Sequence, residues 1–125
     1  GDTGRSRVQT SGVDIMPTVL ELAGLAPEPA IDGRSLAALV LDPSLREERV
    51  AYAESYFPRY HYGWQHLRAV RDGRHKLIDA PEPELYDVET DPAESRNLYE
   101  TLGPTAERLH RRLEELAGPE AEASR

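Results

Sequence analysis

The chain has 125 residues, of which 38% are apolar and 30% charged, with a net charge of -8 at pH 7 and no cysteine. That length supports one modest domain with a single core. The acidic balance argues against nucleic acid as a partner, because phosphate neutralisation needs a basic face. The missing cysteine excludes disulfides, thiolate metal sites and Cys nucleophiles, and no apolar run approaches the ~20 residues of a membrane span.

Gly1-Asp2-Thr3-Gly4-Arg5-Ser6-Arg7 is polar and turn-like, with no apolar signal-peptide core. It also lacks an initiating Met, so the chain is expected to begin inside a longer protein, and the compartment stays open. The first organised segment starts near Ser11. Asp14 is the expected N-cap of a helix through Ile15, Met16, Val19, Leu20, Leu22 and Ala23, with Pro17 in its first turn and Gly24 just past its end. Apolar residues cover most of its circumference, the pattern of a helix buried on more than one side. Its partner surface is therefore expected outside this chain. Pro27 and Pro29 read as a loop and Asp32-Gly33 as a turn. Ser35 caps a short helix through Leu36, Leu39, Val40 and Leu41, which Asp42-Pro43 ends.

The middle reads as strands: 49–57, 65–71, 74–79 and 84–88. Asp72-Gly73 gives a two-residue hairpin signal. Asp91-Pro92-Ala93-Glu94 forms a turn leading to Asn97-Leu98. The last helix runs from about Pro104 to Ala117 and stops at Gly118-Pro119. Leu102, Ala106, Leu109, Leu113 and Leu116 form its apolar stripe. Glu107 with Arg111, and Arg111 with Glu115, are expected to pair on its outer face. The fold class is therefore α+β: a small antiparallel sheet with a packed C-terminal helix, preceded by a helical segment.

Residues suited to chemistry are scarce. His61, His66, His75 and His110 show no helical metal-ligand spacing, and no HExxH occurs. His110 reads as a solvated surface residue and His75 as structural. There is no Gly-x-Ser-x-Gly elbow, and the sole lysine, Lys76, follows no phosphate-binding loop. One stretch stands apart. Tyr56-Phe57-Pro58-Arg59-Tyr60-His61-Tyr62-Gly63-Trp64 holds the only Phe and the only Trp, and is expected to be a loop joining two strands. Such a loop suits ligand contact, with Arg59 offering a planar fork to an anion. The alternative is packing of the rings against a neighbouring domain.

Four segments together carry a family resemblance. Val13-Asp14-Ile15-Met16-Pro17-Thr18-Val19-Leu20-Glu21-Leu22-Ala23-Gly24 resembles the "VDI-PT-L-LAG" helix of sulfatases, and Asp32-Gly33-Arg34-Ser35-Leu36 the "DG-SL" that follows it. The segment 67–78 is similar to the "RAVR-G-YKLI" hairpin of that family. The segment 84–98 resembles its "ELYDL--DP-E--NL" signature. The resemblance implies the C-terminal portion of a sulfatase-like sulfuric ester hydrolase of the alkaline-phosphatase superfamily, part of a larger α/β fold. It divides the chain into the helical end of a catalytic domain at 1–48, a C-terminal subdomain at 49–118 and a flexible tail at 119–125.

The same resemblance implies formylglycine, calcium and a small sulfate-ester substrate in the parent protein. Both cofactors, with the catalytic domain that holds them, are expected upstream of Gly1. No catalytic or metal-binding residue is expected in this chain. Leu41-Asp42-Pro43-Ser44-Leu45-Arg46 resembles the nucleophile motif only superficially, with Leu at the nucleophile position. Asn97 follows Arg96, so no Asp-Asn metal pair exists. By the same analogy Arg59, Tyr60, His61 and Trp64 are the expected substrate-binding residues. A related phosphonate or phosphodiester hydrolase and a non-catalytic binding module are the alternatives.

Overall fold

The computed structural model describes residues 4–26 and 30–117. The expected Pro27/Pro29 loop, the Gly118-Pro119 stop and the tail at 119–125 lie outside the described residues. The chain forms two compact units, one ending at Arg49 and one starting at Val50.

In the first unit a short 3-10 turn, Gly12–Asp14, leads into α1 (Ile15–Leu22). Gly24 takes φ +70°, and Leu25 N–H returns to the Leu20 carbonyl at 2.9 Å. This is the left-handed residue that commonly ends a helix. Asp14 does not cap α1 with its side chain, contrary to the sequence expectation. It is buried, and its carboxylate instead accepts the amides of Ser11 and Arg34, each at 2.9 Å. The second helix, α2 (Ala37–Leu41), starts where the Ser35 hydroxyl accepts the Ala37 amide at 3.1 Å.

Thr18 joins the two segments. Its hydroxyl donates to the Asp14 carbonyl at 2.5 Å and accepts the Leu36 amide at 2.8 Å. Gly33 has φ +95°, and a Cβ there would stand 2.4 Å from the Val13 carbonyl oxygen. Only glycine fits both the backbone angle and the gap. Arg49 completes the tie, donating to the carbonyls of Arg34 and Ser35, both at 2.9 Å, with Asp14 Oδ2 at 3.7 Å. Ile15, Met16, Val19 and Leu22 of α1 remain more than half exposed, an apolar surface left uncovered by the described residues of this unit.

The second unit is a four-stranded antiparallel meander in the order β1 (Ala51–Ser55), β2 (Leu67–Arg71), β3 (His75–Asp79) and β4 (Glu84–Asp87). One helix, α4 (Gly103–Ala117), packs on it. Val70 pairs with Leu77 and Leu77 with Leu85, so three fully buried side chains lie abreast across the sheet. Ala106, Leu109 and Leu113 of α4 close over them, with Val50, Tyr52, Tyr99 and Leu102 at the margins. Each fully buried Leu contributes about 1.5–3 kcal/mol by burial.

The β2–β3 turn sits one residue later than the Asp72-Gly73 signal implies. Asp72 N–H donates to the His75 carbonyl at 3.1 Å, which leaves Gly73, at φ +96°, and Arg74 as the two turn residues. The Asp72 carboxylate takes the His75 amide at 2.8 Å and Arg108 at 2.6 Å. The shift sets the register, so that Arg68 faces Asp79. On α4 the expected i,i+4 pairs give way to Arg112 with Glu115 at 2.7 Å. His110 is not simply solvated, because its Nε2 lies 3.2 Å from the Tyr99 hydroxyl with the two rings edge to face.

The polar residues after β4 hold backbone. Asn97 Oδ1 accepts the amides of Leu85 at 3.0 Å and Tyr99 at 2.9 Å, and its Nδ2 donates to the Pro83 carbonyl at 3.2 Å. Leu98 N–H then reaches the Leu85 carbonyl at 2.7 Å. Together they cover an outer strand whose free edge would otherwise invite pairing. The Arg74 guanidinium beside Asp87 holds that carboxyl well below the usual carboxylate range, with the Thr90 amide assisting. Asp91 binds the amides of Ser95 and Arg96, and Lys76 meets Glu94 at 2.6 Å.

Candidate functional site

The aromatic segment is a helix, not the expected loop. Phe57–Tyr62 forms α3, with Pro58 in the first turn, where its missing N–H removes no helical bond. Gly63 at φ +66° ends it, its N–H bonded to the Arg59 carbonyl at 3.1 Å. The rings follow from the helical spacing. Phe57 and His61, four apart, lie with centroids 4.1 Å apart and their planes tilted by 40°. Tyr56 lies nearly parallel to His66 at 5.2 Å and 17°, and Tyr62 sits 5.2 Å from Trp64.

This geometry divides the four expected binding residues. Arg59 and Trp64 line a hollow of about 350 Å³, together with Gly63, Gln65, His66, Arg68, Asp79 and Ala80. Tyr60 and His61 are not part of that lining. Tyr60 is 80% exposed and neighbours Tyr56, and His61 is engaged with Phe57.

The hollow rests on a fixed ion-pair network. Arg68 is buried, and its Nε and Nη2 donate to Asp79 Oδ2 at 3.1 and 2.5 Å. Its Nη2 also reaches Glu114 on α4 at 2.9 Å. Burial works against the guanidinium charge, but the bonds to Asp79 and Glu114 outweigh it and leave Arg68 more basic than usual. Gln65, His66, Arg68 and Asp79 were not among the residues expected from sequence. A signal for two of them existed: Arg68 and Asp79 are partners in the hairpin register, and centring the turn on Asp72-Gly73 pairs Arg68 with Leu77 instead.

The segment that superficially resembles a nucleophile motif is a helix end and a turn. Leu41, at the nucleophile position of the superficial motif, ends α2 as an exposed side chain. Asp42 beside it accepts the Ser44 amide at 3.0 Å and hydroxyl at 2.6 Å, an ordinary turn. Asp14, Asp72, Asp79, Asp87 and Asp91 are each held by amides or guanidinium groups. Among the described residues no three His, Asp or Glu side chains gather to hold a metal ion, and no helix is long and apolar enough to cross a membrane.

Comparison with known proteins places this architecture. The family model described as N-sulphoglucosamine sulphohydrolase, C-terminal, matches residues 3–118. Choline-sulfatase of Rhizobium meliloti (strain 1021) is 39% identical over 101 residues, covering 73% of this chain and 18% of that protein. A solved structure of a protein in complex with its substrate D-glucosamine-2-N,6-O-disulfate is 27% identical, with a TM-score of 0.65, covering 82% of this chain and 23% of that one. The phosphonate monoester hydrolase of Agrobacterium radiobacter is 26% identical, with a TM-score of 0.57, covering 86% of this chain and 24% of that one. The chain thus spans less than a fifth of the length of the curated relative. It belongs to the sulfatase family, corresponding to the C-terminal portion of an alkaline-phosphatase-like fold.

Proposed function

We propose that the chain serves as the C-terminal subdomain of a sulfuric ester hydrolase. Under this reading the nucleophile and metal ligands come from a catalytic portion that precedes Gly1, and this chain contributes a structural cap and a substrate-facing surface. The observation that carries the proposal is the family match over residues 3–118 in a chain whose polar motif residues are engaged in holding backbone. Arg59 and Trp64, at the rim of the hollow, are the substrate contacts assigned here. Tyr60 and His61 lie on α3 outside that lining. Calcium and formylglycine belong to the catalytic portion in this reading.

The likeness to a phosphonate monoester hydrolase favours a second reading, in which the parent protein cleaves a phosphonate monoester. Expression of the whole reading frame containing this chain, assayed on an aryl sulfate and on an aryl phosphonate monoester, separates the two. Faster turnover of the sulfate supports the proposal. Faster turnover of the phosphonate establishes the second reading. Turnover of neither, with the 125-residue chain still binding a ligand, points to a non-catalytic binding module.

A further inference from the structure

The two edges of the sheet differ. At β4 the edge is occupied, because Asn97 and Leu98 both bond to Leu85. At β1 it is open. Among the described residues no loop or side chain bonds to the backbone of Ala51–Ser55 from outside the sheet. Apart from the charge of Glu54, β1 also lacks the features that blunt an edge. It has no Pro and no Lys, and it pairs with β2 residue for residue, without a bulge. Ala53, Glu54 and Ser55 are exposed. The core is unfinished on the same side. Helix α4 packs mainly on β2 and β3, and Val50 and Tyr52 are only partly buried at the margin. A further strand beside β1 adds side chains over both.

The side chains of β1 decide which strand fits. Tyr52 pairs with the buried Val70, so Tyr52 and Glu54 share the face that carries α4. Ala51, Ala53 and Ser55 share the opposite face. Consider antiparallel pairing of β1 with its own copy, about a two-fold axis at Ala53. Ala53 then meets Ala53, Ala51 meets Ser55, and Tyr52 meets Glu54. Small side chains face small ones, and a phenol faces a carboxylate. Tyr52 and Glu54 already make that kind of bond within the strand, at 2.8 Å. Both α4 helices lie on one side of the joined sheet. Other registers fit less well. A one-residue slip sets core-facing side chains against outer ones. An axis at Glu54 sets that carboxylate against itself, and like charges directly opposite are destabilising. An axis at Tyr52 leaves Glu54 and Ser55 without partners in the strand.

We propose that β1 is a dimerisation strand. Two copies of the chain join edge to edge through Ala51–Ser55 into one continuous antiparallel sheet, with the two-fold axis at Ala53. Main-chain hydrogen bonds hold the two edges, as in strand addition generally. The contact is isologous, the same surface on both copies. The occupant is a second copy because β1 complements itself in this register. The inference uses the sheet edge alone and stands apart from the hydrolase reading.

Sedimentation velocity of the protein expressed from the whole reading frame, over a dilution series, tests this. An assembly of at least two chains is expected. Ala53→Lys sets two like charges face to face at the axis, and so does Ala53→Asp. Each variant should associate about fivefold or more weakly than the parent, with circular dichroism unchanged. Mixed in equal amounts, they set Lys against Asp and should recover association. That recovery separates a lost contact from a misfolded variant, because a misfolded chain gains nothing from its counterpart. A one-chain mass at the highest concentration overturns the inference. Variants that associate like the parent overturn it as well, as does a mixture that stays dissociated.

Discussion

The side-chain oxygen of Asn97 accepts the amide of Leu85 at 3.0 Å and so acts as a neighbouring strand for the outer edge of the sheet. Leu85 is fully buried in the core, so this bond fixes a core residue as well as an edge. Asn97→Ala leaves the Leu85 and Tyr99 amides without that acceptor, and an unmade buried bond costs about 1–3 kcal/mol. Urea unfolding should show a loss of that size. Asn97→Asp, which keeps the accepting oxygen, should lose less. A midpoint for Asn97→Ala within error of the parent would contradict this role.

Gly33 makes the corresponding prediction for the first unit. A side chain there meets both a positive φ and the Val13 carbonyl. Strain from the backbone angle alone is of order 1–3 kcal/mol, and the close approach adds to it. Gly33→Ala should therefore speed amide hydrogen exchange at Arg34 and Leu36, whose N–H groups are held by Asp14 and Thr18. Unchanged protection at both amides would show that the two segments are not tied as described.

Arg68 is buried between two carboxylates. Arg68→Lys keeps the charge but loses the fork that reaches Asp79 and Glu114 together. Hydrogen bonds to charged groups contribute about 1.5–3 kcal/mol each, and partial exposure of Glu114 places the loss at the low end of that range. The thermal midpoint should fall by several degrees, and Trp64 emission should shift as the floor of the hollow loosens. A stable variant with parent-like emission would remove Arg68 from its positioning role.

Acid should destabilise the second unit. The Arg74 guanidinium holds Asp87 low. For Asp72 burial works against the charge, but the His75 amide and Arg108 outweigh it and lower its pKa as well. A carboxyl whose folded pKa is depressed stabilises the fold above its unfolded value, about 3.9. That contribution is lost as the pH falls from there through the folded value. The urea midpoint should hold from pH 7 to about pH 5 and decline below it. Asp87→Asn should flatten the decline, and an unchanged slope would exclude Asp87 as a contributor.

The sequence was most legible where one period dominates. The stripe from Leu102 to Leu113 on α4 repeats every three to four residues, and its inner members are those that the core buries. The hairpin was legible because Asp-Gly is a strong turn signal, though its centre moved by one residue once the Asp72 carboxylate took the His75 amide. The helix α3 was not legible. Aromatic residues are poor helix formers and Pro58 suggests a loop, yet a proline in the first turn and a glycine after the last are also helix signals. Arg68 was missed because an arginine in a strand reads as exposed, and its two partners come from other elements. The Tyr99–His110 contact was hidden for the same reason.

On the reading we propose, this chain completes a sulfatase whose nucleophile and metal ligands lie in another portion of the protein. The most direct measurement is hydrolysis of 4-nitrophenyl sulfate by the purified 125-residue chain in the presence of calcium, beside the protein expressed from the whole reading frame. No turnover above buffer is expected for the chain alone, and saturable turnover for the whole protein. Saturable hydrolysis by the chain alone would contradict that reading.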